Sequence, residues 1–245
     1  MYISSKDNKI IKYVTKLMLP KYSRIEGKTL VESPKIISEL LDANMVEYIL
    51  VTDRNRHNMV LSKAKCDVID ISDSVMRVLS TTETSTGIFA VVKLPQKVTE
   101  YGDKSIILDG IQDPSNLGAI IRSAVAFGYN TIFTINSCYA YSPKVIRSSM
   151  GTIFKVNMVD VSYDEVERYA DINNIELICC DMNGKSIENA RPKADKFAII
   201  IGSEGGGVSD RLRRLATTTI SIPMQNGVES LNASVSAGII MYYLK

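Results

Sequence analysis

The sequence predicts an α/β protein: a parallel sheet between layers of helices, with a smaller α/β domain at its N-terminal end. Three observations predict it. From residue 105 onward, short apolar runs alternate with amphipathic stretches of helical period, the pattern of repeated β–α units. Those runs are apolar along their whole length, not at every second position, which marks strands covered on both faces. Between them and the first ninety residues lies PQKVTEYGDK, Pro95 to Lys104, where apolar character gives way to Pro, Gly and charge. The expected boundaries are a domain at 1–97, a linker at 98–104 and a second domain at 105–245.

In the first domain, the pattern predicts a helix from Asp7 to Leu19 with Ile10, Ile11, Val14, Leu17 and Met18 on its apolar side. Lys9, Lys12 and Lys16 line its other side. A strand at Thr29–Glu32, a helix at Ser33–Ala43 and strands at Tyr48–Thr52 and Val68–Asp70 follow. A helix at 72–80 and a β-branched strand at 87–94 complete the domain. In the second domain, strands are expected at 105–111, 131–135, 154–160, 176–181, 197–202 and 218–224. Helices are expected at 116–127, 143–150, 163–173, 209–215 and 231–244.

The 245 residues are 45% hydrophobic and 23% charged, enough apolar material for a packed core and too little charge bias for a disordered chain. No apolar run approaches the roughly 20 residues of a membrane span, and MYISSKDNKIIKY lacks a secretory apolar region. A cytoplasmic protein with no membrane partner is expected. Cys66, Cys138, Cys179 and Cys180 form no C-x-x-C and are expected to be reduced. The single histidine, His57, excludes His-rich zinc sites, and no metal is expected. Its polar setting, TDRNRHNMV, suggests an exposed or RNA-proximal residue. Residues 1–97 hold 15 Lys and Arg against 11 Asp and Glu, whereas 98–245 hold 14 against 16, so positive charge gathers at the front. A basic helix face of this kind is either solvated or a phosphate-contacting surface.

Three constellations fall where ligands collect in parallel sheets, beyond strand C-termini. The first is DPSNLGAIIRSAVAFG, in which Asp113, Ser115 or Asn116 caps a helix. Gly118 and Arg122, four residues apart, share a face of it. A mid-helix glycine costs about 1 kcal/mol relative to alanine, so close approach of a backbone or ligand is its natural reason. The second is FAIIIGSEGGGVSD, a buried strand running into consecutive glycines that let the main chain approach a ligand. It lacks the P-loop lysine, and Glu204 stands where a dinucleotide fingerprint needs its middle glycine. The third is ISIPMQNGVESLNASVSAGIIMYYLK: a strand ending at Pro223, a loop with Gln225, Asn226, Gly227 and Glu229, and a final helix that Ser230 can cap.

Taken in order, Asn116-x-Gly118-x-x-x-Arg122, Gly202-Ser-Glu204-Gly205-Gly-Gly207, and Ile222-Pro223-Met224 with Ser230-Leu231-Asn232-Ala-Ser234 closely resemble the three motifs of the SpoU/TrmH family of RNA ribose 2′-O-methyltransferases. SPKVIRSSMG at 142–151 resembles the family's middle segment. The first ninety residues resemble its ribosomal-protein-like substrate-binding domain, with Glu32-Ser33 in place of the usual Glu-Gly. The resemblance implies a SPOUT fold with a C-terminal trefoil knot, S-adenosylmethionine as cofactor, and a homodimer with composite active sites. It implies cofactor contacts at Gly202, Ile222 and Leu231, with Cys180, Asp181 and Met182 as further candidates. The implied catalytic set is Asn116, Arg122, Glu204, Ser230 and Asn232. The expected partner is RNA, ribosomal on account of the front domain, with transfer RNA the alternative. A noncatalytic RNA-binding or ribosome-assembly factor is the reading from another class, and the presence of all five catalytic-set side chains speaks against it.

Overall fold

Asn8, Ser33, Ser72, Asp113, Ser142, Ser162 and Asn232 each cap a helix by accepting a backbone N–H. These caps set the frame of the computed structural model, which describes residues 1–96, 101–225 and 230–245. The chain divides into two compact units.

The first unit comprises Met1–Gln96 together with Tyr141–Gly151. It contains β1 (Tyr2–Ile3), α1 (Lys9–Leu17), α2 (Pro20–Glu26), β2 (Lys28–Val31), α3 (Pro34–Asp42), β3 (Val46–Val51), α4 (Asn58–Leu61), β4 (Asp67–Ile71), α5 (Asp73–Leu79) and β5 (Ile88–Lys93). The sheet order is β1-β4-β3-β5-β2, with β5 antiparallel to both neighbours and the remaining pairs parallel. Ile11, Val14 and Leu17 of α1 pack with Leu50, Phe89 and Val91 in its core. Helix α2 has no counterpart in the expected pattern. Pro20 at its start and Gly27 at φ +61° bracket seven residues too few to show an apolar stripe.

Lys9, Lys12 and Lys16 are exposed as the spacing predicts. Lys12, however, pairs with Asp7 at 3.0 Å, and the Lys16 ammonium lies 5.6 Å from the centroid of the Tyr22 ring. His57, expected at the surface, is buried at 6% exposure with Nε2 2.9 Å from the Thr86 carbonyl oxygen. It is a packed residue of this unit.

The second unit is the described part of Lys97–Ala140 and Thr152–Lys245. Its elements are β6 (Lys104–Asp109), α6 (Pro114–Ala126), β7 (Thr131–Ile135), then, beyond the intervening α7 (Pro143–Ser148), β8 (Asn157–Asp160), α8 (Tyr163–Asn173), β9 (Glu176–Ser186), β10 (Phe197–Gly202), α9 (Asp210–Leu215), β11 (Thr218–Ser221) and α10 (Ala233–Tyr243). All pairs of the six-stranded sheet, β11-β9-β10-β6-β7-β8, are parallel. Ile107, Ala198 and Ile200 of the central strands are fully buried. Two strands are shorter than their apolar runs: Thr152–Lys155 turns as a 3-10 helix before β8, and β11 ends at Ser221, ahead of Pro223.

Helix α7, grouped with the second domain in the sequence pattern, packs in the first unit. Thr29 Oγ1 donates to the Tyr141 carbonyl at 2.9 Å, and Arg147 Nη1 donates to Thr81 Oγ1 at 2.8 Å. A Cβ on Gly151 would lie 3.0 Å from Ile36 Cγ2. The expected linker at 98–104 falls partly outside the described residues, and Lys104 already opens β6. Among the described residues no helix is long and apolar enough to cross a membrane.

Candidate active site

The parallel arrangement brings the C-terminal ends of β6, β9, β10 and β11 to one edge of the second unit, and the three constellations occupy the loops there. Strand β10 ends at Gly202, in register with Asp109 of β6. A Cβ on Gly202 would sit 2.0 Å from the Gly207 carbonyl carbon, so only glycine lets the chain fold back on itself here. The return is closed by Gly207 N–H donating to the Ser203 carbonyl at 2.9 Å and Gly206 N–H donating to Ser203 Oγ at 3.2 Å. Beneath it the buried Asp109 carboxylate accepts from Tyr163 OH at 2.9 Å and from Ser209 N–H at 2.8 Å. That places Glu204 at the exposed side of the loop.

Glu204 Oε1 accepts from Asn116 Nδ2 at 2.6 Å and from Asn232 Nδ2 at 2.8 Å. Asn232 Nδ2 also donates to Asn116 Oδ1 at 3.0 Å. The three motifs therefore meet in one cluster. Asn116 is set by α6, whose cap is Asp113, accepting from Ser115 N–H at 2.7 Å. Asn232 is itself the cap of α10, its Oδ1 accepting from Ser234 N–H at 2.9 Å and Ser234 Oγ at 2.6 Å. The cap is thus Asn232 and not Ser230, because the helix begins two residues later than its apolar pattern suggests.

A cavity of about 390 Å³ opens beside this cluster. Gly202, Ile222, Leu231, Cys180, Asp181 and Met182 all line it, as do Glu204 and Ser230. Burial pushes the Cys179 thiol up to about 11 and holds the Cys180 thiol well above its ordinary value, so neither is a ready thiolate. Arg122 stands apart. It lies six residues beyond Asn116 on α6, roughly 120° around the helix, is exposed, and makes no hydrogen bond or ion pair among the described residues. Glu204 orients the two asparagines, not the arginine. Asn226, Gly227 and Glu229 of the expected third loop lie outside the described residues.

Two contributors were not singled out by the sequence pattern. Asp109 reads as an ordinary strand end, although an acid directly after the apolar run SIIL is the trace of a buried, hydrogen-bonded carboxylate. Arg213 is one of three arginines in DRLRRL, yet it alone of them lines the cavity, with Nη1 2.9 Å from Asp181 Oδ2.

A family model described as the SpoU rRNA Methylase family matches residues 103–242, and an MRM3-like substrate binding domain matches residues 8–90. Among curated proteins, the chain is 29% identical over 251 residues to the 23S rRNA (guanosine(2553)-2′-O)-methyltransferase RlmP of Bacillus subtilis (strain 168), covering 99% of this chain and 98% of that one. It is 28% identical to the 23S rRNA (adenosine(1067)-2′-O)-methyltransferase of Streptomyces azureus, covering 70% and 67%. Among solved structures, the SpoU methyltransferase AviRb from Streptomyces viridochromogenes in complex with AdoMet superposes with a TM-score of 0.87 at 26% identity, covering 96% of each chain. An RNA 2′-O ribose methyltransferase superposes with a TM-score of 0.83 at 28% identity, covering 99% of this chain and 97% of that one.

Proposed function

Since the chain belongs to the SpoU rRNA methylase family, we infer that it transfers a methyl group from S-adenosylmethionine to a ribose 2′-hydroxyl of ribosomal RNA, in the cytoplasm. The observation that carries this reading is the convergence of Asn116 and Asn232 on Glu204, which itself lines the glycine-walled cavity. The cavity falls within the roughly 300–1,000 Å³ typical of small-molecule sites. Met182, Ile222 and Leu231 offer apolar surface for a base, while main-chain groups of the glycine loop offer partners for a polar tail.

The cofactor supplies a methyl carbon made electrophilic by its sulfonium. The ribose 2′-oxygen would accept that methyl group, with the demethylated donor left behind and the hydroxyl proton passing to a neighbouring phosphate or to water. The protein's task is alignment. Asn116 and Asn232, fixed by Glu204, position the ribose, and Ser230 shapes the entrance. Arg122 grips the adjacent phosphate and stabilises the developing alkoxide. A guanidinium keeps its positive charge across the neutral range, so it serves as a fixed cation and is a poor base.

Arg122 reaches a cavity in the proposed homodimer, where one copy's arginine completes the other copy's site. The exposed Val235, Tyr242 and Tyr243 of α10, with Phe127 stacked edge-on against Tyr242, form the apolar surface that supports this pairing. The C-terminal segment is proposed to thread a trefoil knot. Its support is the tight backbone approach at Gly184, where a Cβ would lie 2.4 Å from the Ile220 carbonyl carbon, and at Gly202. Residues 1–97 are proposed as the RNA-holding domain, joined through 98–104 to a catalytic domain at 105–245 whose segment Tyr141–Gly151 packs within the first unit.

Incubation with methyl-labelled S-adenosylmethionine and separate ribosomal and transfer RNA tests the reading. Label is expected in ribosomal RNA as a single 2′-O-methylribose, with Arg122→Lys lowering turnover about 100-fold. Label confined to transfer RNA, or near-normal turnover by Arg122→Lys, contradicts it.

A further inference from the structure

One wall of the cavity is a stretch of β9 that has left its ladder with β11. The β9–β11 ladder runs through Cys179 opposite Thr219 and resumes with Lys185 opposite Ile220, so residues 180–184 have no ladder partner on β11, and only the far end of the arch is tied back, the Gly184 carbonyl accepting from Ser221 Oγ at 2.9 Å. Cys180, Asp181, Met182 and Asn183 of this arch line the cavity. A strand released from its ladder has no backbone hydrogen bonds to fix its distance from the opposite wall. Some other contact must set that distance.

Arg213 makes it. Its Nη1 lies 2.9 Å from Asp181 Oδ2 on the arch, while Nη2 donates at 3.1 Å to the carbonyl of Val208, the residue that follows the glycine loop. Asp181 is committed to the protein on both sides: its second oxygen, Oδ1, accepts from Asn183 N–H at 3.0 Å, and its side chain is only 11% exposed. Arg211 of the same helix turns away, to Asp164 and Glu167 of α8. A planar guanidinium addresses two acceptors in fixed directions, which an ammonium does not reproduce.

We propose that Arg213 is a positioning residue for the cofactor cavity, a clasp that holds the Asp181 arch and the exit of the glycine loop at the spacing the methyl donor requires. This rests on the reading of the cavity as the S-adenosylmethionine site. The clasp acts on the shape of the cavity and not on the sulfonium. It therefore serves the methylated cofactor and its demethylated product alike.

Calorimetric titration of the full-length protein with S-adenosylmethionine and with S-adenosylhomocysteine is the test. Arg213→Met is expected to weaken both ligands equally, by about tenfold, and Asp181→Asn by a similar factor, with the double variant no weaker than Arg213→Met because the same ion pair is broken in each case. Arg213→Lys is expected to recover part of the loss. In turnover by Arg213→Met, the cofactor KM rises while kcat at saturating cofactor and the KM for RNA stay near their wild-type values. If Arg213→Met does not fold, Asp181→Asn, which keeps the side chain's shape, carries the same comparison against Arg213→Lys. Unchanged affinities, additive losses in the double variant, or a loss confined to S-adenosylmethionine overturn the clasp. A wild-type chain that binds neither ligand overturns the cofactor reading and the clasp with it, whereas wild-type binding matched by Arg213→Met overturns the clasp alone.

Discussion

One carboxylate oxygen of Glu204 accepts from two asparagine side chains that arrive from helices 116 residues apart in sequence. Removing it leaves two amide groups without their common acceptor, and both are then free to rotate away from the orientation proposed to hold the ribose. Glu204→Ala and Asn116→Ala are each expected to lower kcat about 10- to 100-fold, the scale of a small misplacement of reacting groups. The double variant should be no slower than the worse single variant, because the members act as a unit. Full additivity in steady-state kinetics would show that they act independently. The membership of this cluster was legible only through the resemblance of the three motifs to the SpoU/TrmH family, since an asparagine at a helix start is by itself an ordinary cap. Its wiring was not. Whether Glu204 would orient Asn116 or Arg122 depends on where the arginine falls around α6, and that angle becomes meaningful only once the loops are placed. Asp109 and Arg213 escaped notice for a related reason: each acts through a partner distant in sequence, Ser209 and Asp181 respectively.

At the level of elements, the glycine loop depends on a backbone crossing that no side chain can enter. Gly202→Ala should destabilise the fold by about 1–3 kcal/mol through overpacking, seen as a lower denaturation midpoint. Gly238→Ala on α10 is the control, because its new Cβ would meet Ser123 Oγ at an ordinary 3.7 Å. Equal stability of the two variants would contradict the crossing. Strand β9 makes a second prediction. The Cys179 thiol is raised by burial from an ordinary value near 9 to about 11. The unfolded chain therefore ionises first, and this contribution to stability is complete below pH 9 and is lost as pH rises toward 11. Urea midpoints should hold steady from pH 7 to about 8.5 and decline above it, and Cys179→Ala should lessen the decline; an identical pH profile in that variant would contradict the assignment. The strands were legible because residues buried on both faces leave unbroken apolar runs. The ends were less so: β11 stops short of Pro223 and α10 starts at Ala233, because turn geometry and caps, not hydrophobicity, end an element.

For the whole molecule, the sequence showed two α/β bodies with the charge at the front, but not that Tyr141–Gly151 would pack within the first unit. Nothing in SPKVIRSSMG distinguishes a helix of its own sheet from one that covers another, since an apolar stripe records burial without naming the partner. The basic face of α1 was legible in kind, yet Lys12 pairs with Asp7 and Lys16 lies near the Tyr22 ring, so in the proposed RNA-holding role Lys9 and Lys16 are the two lysines of this face with no carboxylate partner among the described residues. Replacing both by alanine should weaken RNA binding and flatten the dependence of log affinity on log salt by about 1–2 units, given roughly 0.7–0.9 for each phosphate that is no longer neutralised. An unchanged slope would mean that RNA is held elsewhere. The most direct measurement of the central claim is a crystal structure of the protein with S-adenosylmethionine. The methyl carbon is predicted to face the Asn116–Glu204–Asn232 cluster from within the cavity, with Arg122 of the second copy directed at the same point; a methyl turned away from that cluster, or a cofactor bound outside the cavity, would contradict the account.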